Sequence, residues 1–546
     1  MIKKNSQLTI IKLLLIMIFF NAGITYIGIA QERPNIVLIM VDDMGFSDLG
    51  VTGSEIDTPN IDALAKEGML FTQFYNAAKC EITRGSLMTG LYSQQISDTV
   101  SGAYPIVLGE SRNNNATIAE LLGNAGYETI ASGKWHLGNW TEVDLDQAPI
   151  DRGFDHFFGH LSGAIDYFTG VATVGYYDIW EGESPYDIPQ DFYSTDAFTD
   201  YEIDRITASA TNDSPFFLYL SYNAPHFPLQ VPQENIDEYL NKGLYSKGWD
   251  RVRQHRYERQ LKSGIIAPNW ALGKRDTFVP NWDSLTPSQQ VWEEVQMATY
   301  AGMIDRLDQQ VGRLIKRIQE LGMKDNTLLM FLSDNGGHPF GYAGVEWATV
   351  SNIPFQKYKQ WHYEGGIATP LIVRWPNGIK SGTIIQKPAH ILDIMPTLLE
   401  VAGVTYPNQF NSNILLPLEG ESLWSVLQGR NTNWQHDPIV HEFDGQRMVR
   451  DGDWKLVAER GGTWELYNMS DDRTETNNLV EKYPYQVIRL SKIYSEWAER
   501  IGATSIEKAE TMPVNTRPQT TFTPPLGSRG EYKYSRWPPW VGIERK

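Results

Sequence analysis

Three nearly unbroken apolar runs constrain this chain most: Ile36-Val37-Leu38-Ile39-Met40-Val41, Phe216 to Tyr222, and Thr327 to Leu332. Apolarity without alternation fits a strand covered on both faces, as in a parallel sheet between layers of helices. Each run stops at polar residues: Asp42-Asp43 after the first, Asn223-Ala224-Pro225-His226 after the second, Ser333-Asp334-Asn335-Gly336-Gly337 after the third. Between them, Ile61 to Glu67, Thr117 to Leu122 and the series Met297, Ala301, Ile304, Val311, Leu314, Ile315, Ile318 carry apolar residues at helical spacing. Strands alternate with helices, which predicts an α/β fold with a large, mostly parallel central sheet flanked by helices. Open sheets of this kind gather ligands beyond the carboxyl ends of their strands, where the polar clusters stand. Gly126 to Ala131 is a weaker strand candidate; Ser132-Gly133-Lys134-Trp135-His136 after it gives a fourth cluster at the same edge.

The flanking segments differ in kind. Residues 1–30 place Lys3 and Lys4 before an apolar run from Leu13 to Phe20 and end in Gly28-Ile29-Ala30, the pattern of an export signal. The run is short for a bilayer and is broken by Asn21 and Gly23, so we expect a periplasmic or secreted protein without a stable membrane anchor. Residues 31–430 form the expected α/β domain. Residues 431–511 form a smaller subdomain, with short strands within Met448 to Val457 and Trp464 to Asn468 and a helix from Tyr485 to Arg500. Residues 512–546 are a proline-rich, extended tail. The net charge of −19 argues against nucleic acid as a partner and requires any anion site to be locally positive. Cys80 is the only cysteine, so no intramolecular disulfide forms. A lone cysteine is most often a small buried hydrophobe.

Cys80-Glu81-Ile82-Thr83-Arg84-Gly85-Ser86-Leu87-Met88-Thr89-Gly90 resembles the C-x-P-x-R signature and T-G continuation of the formylglycine-dependent sulfatases, with Ile82 in the proline position. Gly133-Lys134-Trp135-His136-Leu137-Gly138 is similar to a second element of that family. Lys359, five residues before Glu364-Gly365-Gly366, stands where the family has a sulfate-binding lysine. Similar elements run from Asn35 to about Asn478, in the pattern of the bacterial arylsulfatase-like branch of the alkaline phosphatase superfamily. The resemblance implies a central sheet with a C-terminal subdomain of antiparallel sheet plus helix. It also implies that a formylglycine-generating or sulfatase-maturing enzyme oxidises Cys80 to an aldehyde, whose hydrate attacks sulfur.

Asp42, Asp43, Asp334 and Asn335 are oxygen donors at strand ends, suited either to turns and helix caps or to a hard cation. In the family, the matching positions and the modified cysteine, here Cys80, bind one calcium ion (Ca2+). By the same resemblance Arg84, Lys134 and Lys359 supply positive charge, His136 accepts a proton at the nucleophile, and His226 protonates the leaving oxygen. Those three cations with a divalent ion outweigh the three aspartates, so the site is positive inside a negative protein. For the leaving group, His160 and Asp166 are candidate polar contacts, and Tyr167, Trp361 and His362 candidate stacking surfaces. The expected substrate is a sulfated carbohydrate or an aryl sulfate ester. The alternatives are a phosphate or phosphonate monoester hydrolase on the same fold, and a non-catalytic sulfated-glycan-binding protein that keeps Cys80 unmodified.

Overall fold

The three apolar runs are adjacent strands at the middle of one sheet. The structure, a computed structural model, describes residues 33–514 apart from 98–112, 139–146, 173–174, 213, 278, 340–343, 431–433, 435 and 437. The export-signal segment and nearly all of the proline-rich tail lie outside the described residues. In chain order the strands of the central sheet are β1 (Asn35–Val41), β2 (Met69–Tyr75), β3 (Glu128–Lys134), β4 (His156–His160), β5 (Trp180–Glu181), β6 (Ser184–Pro185), β7 (Phe216–Ser221), β8 (Thr327–Ser333), β9 (Ala368–Arg374), β10 (Thr383–Ile385) and β11 (Ala389–His390). Their spatial order is β10-β2-β9-β8-β1-β7-β3-β4-β5-β6, with β11 also paired to β2.

β1 lies between β7 and β8 and is parallel to both, and Ile36 to Val41 are fully buried. Successive side chains of a strand point to opposite faces. Accordingly Val37, Ile39 and Val41 join one apolar layer with Ile304, Leu307 and Val311 of the helix Pro287–Glu320. Ile36, Leu38 and Met40 join the other, with Leu87, Leu122 and Leu398. The long helix starts where its sequence allows: Thr286 and Gln289 form a reciprocal capping box, and Pro287 occupies the first turn.

One feature of the sheet differs from the sequence expectation. β3 runs on to Lys134, because Ser132 and Gly133 pair with Leu220 and Ser221 of β7 although they are not apolar. A Cβ on Gly133 would lie 1.9 Å from the Ser221 carbonyl oxygen, so only glycine continues the strand there. β9 is antiparallel to both β8 and β2, so the sheet is mostly parallel, as expected.

After a two-stranded hairpin of β12 (Gln409–Phe410) and β13 (Asn413–Ile414), the chain forms a second sheet. Its strands β14 (Ile439–Phe443), β15 (Gln446–Asp451), β16 (Trp454–Ala458) and β17 (Glu465–Asn468) are antiparallel neighbours. The helix Pro484–Ile501 packs on it through the buried Leu490, Tyr494 and Trp497. Strand β14 and the helix Ile506–Thr511 were not anticipated. Among the described residues no helix is long and apolar enough to cross a membrane.

Candidate active site

Five strand ends assemble the site. β1 delivers Asp42 and Asp43, β8 leads into Asp334 and Asn335, β3 ends at Lys134 just before His136, and β7 leads to His226. β2 runs in the same direction, because two successive antiparallel pairings through β9 restore it, and it feeds the helix Cys80–Thr89. Every residue of that helix is buried. It is held to β8 by Thr83, whose Oγ1 donates to the Asp334 carbonyl at 2.7 Å. It ends at Gly90, left-handed at φ 66°, whose N–H donates to the Ser86 carbonyl.

Arg84 lies one helical turn from Cys80, on the same face. Its Nε and Nη2 donate to Asp334 Oδ2 at 3.2 and 2.9 Å, and its Nη1 donates to the Lys134 carbonyl at 3.1 Å and to Ser221 Oγ. Lys134 Nζ donates to Asp42 Oδ2 at 2.5 Å, and Lys359 Nζ to Asp43 Oδ1 at 2.5 Å. Asn335 Nδ2 donates to Asp43 Oδ1 at 2.7 Å, while the Asp43 amide donates to Asp334 Oδ1 at 3.2 Å. Asp43 itself is left-handed, φ 71°, a conformation aspartate tolerates better than most residues. Burial opposes the charge on Asp42, but Lys134, His226, Arg84 and Lys359 outweigh it and hold that carboxyl well below its usual range. Burial and the Asp42 carboxylate push Asp334 the other way.

Lys359 reaches the site through a loop sewn to the other strand ends. Its amide donates to Gly337, the next amide donates to Ala78, and Gly336 donates back to Gly366. Gly365 is required because a Cβ there would meet the Lys357 carbonyl at 2.3 Å. Lys357, beside it in sequence, points away into ion pairs with Glu459 at 2.9 Å and Asp276 at 3.5 Å.

Cys80 Sγ is almost wholly enclosed and donates to Glu81 Oε2 at 3.3 Å. Burial pushes the thiol up, but Lys134, Lys359 and Lys79 more than offset it, leaving a pKa of about 7. His136, left-handed at φ 59°, places Nδ1 3.8 Å from the same Glu81 oxygen. His226 Nδ1 is 2.6 Å from the Phe227 carbonyl, which only accepts, so that nitrogen carries the hydrogen. Nε2 then faces Asp43 Oδ2 at 3.4 Å. Burial lowers the pKa of both histidines well below the usual value.

The acidic end of this constellation has the donor chemistry of a hard cation site. One ligand atom each of Asp42, Cys80 and Asp334 lie within 4.8 Å of one another. Asp42 Oδ1 and Asn335 Oδ1 are buried and accept no hydrogen bond from the described residues. Buried oxygens left in that state are costly unless a cation or water takes them up.

The structure thus brings together every candidate catalytic and metal residue, and adds others. Glu81 touches Cys80 and Lys79 adds to its positive surroundings; both adjoin Cys80 in sequence, which was the available signal. His338, three residues past Asn335, groups with Asp43 and His226. Phe227 and His338 are only partly buried, their rings 5.0 Å apart, and they border a cavity of about 20 Å³ beside Asp43, room for one water.

The substrate-contact candidates fare differently. Tyr167 is buried, its hydroxyl lying between the carbonyls of Asn223 and His226 at 2.7 and 2.8 Å, so it supports the His226 turn. Trp361 packs edge-on against Tyr358, and His362 is enclosed beside His441. None of these three presents an open ring face, so the stacking surface expected from them is absent and they belong to the core. His160 is fully buried against Phe198. Asp166 organises its own loop, accepting from the amides of Phe168 and Thr169 and from Gln230 Nε2.

Comparison with known proteins agrees with this geometry. The sulfatase family model matches residues 34–404, and the model of the N-sulphoglucosamine sulphohydrolase C-terminal region matches residues 355–499. An uncharacterized sulfatase of Schizosaccharomyces pombe is 32% identical over 520 residues, 83% of this chain and 91% of that protein. The arylsulfatase of Klebsiella aerogenes is 33% identical over 437 residues, 72% of this chain and 92% of that protein. The crystal structure of Ps i-CgsB in complex with k-i-k-neocarrahexaose superimposes with a TM-score of 0.66 at 26% identity, covering 89% of this chain and 95% of that one. With the strand-edge site in place and the family model spanning most of the chain, this protein belongs to the sulfatase family of the alkaline phosphatase superfamily and is a sulfuric ester hydrolase.

Proposed function

We propose that the protein hydrolyses sulfate monoesters of carbohydrates or aryl alcohols with a formylglycine made from Cys80 and one calcium ion held by Asp42, Asp43, Asp334, Asn335 and residue 80. The observation that carries this reading is the meeting of one enclosed sulfur with Lys134, Lys359 and Arg84 in a chain of net charge −19. When present, a hydrated formylglycine supplies one oxygen to attack sulfur and a second whose deprotonation expels sulfate, and calcium supplies Lewis acidity. Lys134 and Lys359 bind sulfate oxygens, and Arg84 fixes Asp334 and the end of β3. His226, once its Nε2 has taken up a proton beside the bound anionic ester, donates that proton to the departing alcohol oxygen, and His136 Nδ1 accepts one at residue 80.

The neocarrahexaose held by one solved relative favours a carbohydrate ester as the natural substrate. All ten residues of the helix Cys80–Thr89 are buried, so a maturing enzyme has to meet this segment before the chain folds. Export by the N-terminal signal completes the proposal.

Matched nitrophenyl sulfate and phosphate esters test the assignment. The sulfate ester is expected to turn over faster, to lose that activity to a chelator, and to regain it with calcium. Calcium is also expected to raise the thermal midpoint, since it binds only the folded site. A faster phosphate reaction, or activity indifferent to chelation, overturns the assignment.

His226→Ala is expected to slow esters of poor leaving groups, such as sugar sulfates, by about 10²–10⁴-fold. Nitrophenyl sulfate, whose alcohol needs no proton to depart, should lose far less. Equal losses on both would remove His226 from the acid role.

A further inference from the structure

A cavity of about 450 Å³ lies where β2 and the segment after β10 meet the second sheet. Its size is that of a small-ligand site, and it shares no residue with the catalytic constellation. Gln73 of β2, Lys387 between β10 and β11, Arg450 of β15 and Asp453 before β16 line it, together with Trp270 from the loop after the helix Gly248–Ser263.

Several polar groups of these walls are incompletely satisfied. Trp270 Nε1 is buried and donates to none of the described residues, and Gln73 Oε1 is buried and accepts from none. Gln73 Nε2 is already committed to the Gln386 carbonyl at 2.7 Å. Arg450 is only 5% exposed. Its Nε donates to the Gly452 carbonyl at 3.3 Å and its Nη1 to the Tyr75 hydroxyl, which leaves Nη2 without an acceptor among the described residues. Buried polar groups in that state cost stability unless a partner supplies the missing bonds.

Charge narrows the kind of partner. Arg450 and Lys387 stand against one carboxylate, Asp453, and His436 on the same wall is already paired with Asp393 at 2.9 Å. The cavity is therefore locally positive in a chain of net charge −19. Two cations, one unused acceptor and one unused donor match a sugar that carries an acid group. The acid would meet Arg450 and Lys387, and the hydroxyls Gln73 Oε1 and Trp270 Nε1.

We propose that this cavity binds a sugar unit bearing an acid group, a sulfate ester or a carboxylate, and anchors acidic glycans apart from the catalytic centre. The proposal rests on the reading of the substrate as a carbohydrate and extends it to a second site.

Calorimetry on the full chain with methyl glucuronide, a sulfated methyl galactoside and plain methyl galactoside tests it. An acidic sugar is expected to bind about tenfold more tightly than methyl galactoside, and the stronger of the two identifies the acid group. Lys387→Glu should weaken that sugar about tenfold or more without moving methyl galactoside. Trp270→Phe, which keeps an aromatic ring and removes the donor, should weaken it about fivefold, the scale of one hydrogen bond. Nitrophenyl sulfate turnover should be unchanged in both variants, and methyl glucuronide should not compete with that ester. The proposal is overturned if neither acidic sugar binds more tightly than methyl galactoside, or if their binding survives both substitutions. A parent protein without sulfate turnover would sink the functional reading, while the binding measurements would still decide the role of the cavity.

Discussion

Alanine in place of Cys80 is expected to lower sulfate ester turnover by at least about 10⁴-fold, the loss typical of removing a covalent nucleophile. The surrounding groups cannot substitute for it. Lys134, Lys359 and Arg84 are already committed to Asp42, Asp43 and Asp334, and His136 and His226 are turned toward Glu81 and the Phe227 carbonyl. The fold should survive, because removing one enclosed sulfur leaves a small void worth about 1 kcal/mol. Thermal unfolding checks the second half of the expectation and steady-state kinetics the first. Mass spectrometry of the tryptic peptide Cys80-Glu81-Ile82-Thr83-Arg84 from the exported parent protein completes the test: active protein should carry an aldehyde there. A persistent thiol together with undiminished ester cleavage, or an active Cys80→Ala variant, would refute the proposed chemistry.

Why the sequence reveals this site so fully can be seen in Asp42 and Asp334. Both follow apolar runs whose double-sided burial has one structural solution, the middle of a parallel sheet, so their positions at one edge follow from the fold. Direction is less legible. Ala368–Arg374 is as buried as its parallel neighbours, and nothing in an apolar run records that β9 runs the other way. Ser132 and Gly133 show no strand pattern in the sequence for the opposite reason: their strand character comes from partners on β7 and from the space a glycine leaves.

The substrate end was the least legible. Aromatic residues stack on ligands or fill cores with the same composition, and Tyr167, Trp361 and His362 fill the core. What decides between the two is which side of a loop faces solvent, and that depends on contacts such as Tyr167 with the His226 turn, 59 positions apart. Phe227 and His338 border the cavity beside Asp43 because they follow residues already fixed in the site, a positional consequence rather than a motif.

Lys455→Met is expected to cost about 3–5 kcal/mol of stability, the range for breaking one partner out of a buried ion pair. Lys455, on β16 of the second sheet, donates to Glu364 Oε1 at 2.9 Å and lies 2.8 Å from Glu475 Oε1; all three side chains are fully buried. Arg473 and Tyr75 hold the other Glu364 oxygen, and the Glu364 amide donates to Glu475 Oε2 at 2.7 Å. Because Glu364 opens the turn after Lys359, this network ties the second sheet to the loop that carries Lys359. Burial raises Glu364, but Lys455, Arg473 and Arg450 outweigh it and hold the carboxyl near pKa 2, while burial pushes Glu475 up to about 7. Methionine fills the lysine's space without its charge, so both carboxyls shift upward in the folded variant. A carboxyl raised on folding stabilises the native state at low pH and loses that contribution as pH rises through the folded pKa. The variant should therefore regain more stability than the parent when the pH is lowered from about 8 to about 6, as the folded state takes up a proton that unfolded carboxyls, near pKa 4.3, still lack. Denaturant midpoints at the two pH values measure this. A loss under about 1 kcal/mol, the scale of an exposed pair, would show that the network contributes little to joining the two sheets. A variant that weakens further on acidification would show that Lys455 is not what keeps these carboxylates charged.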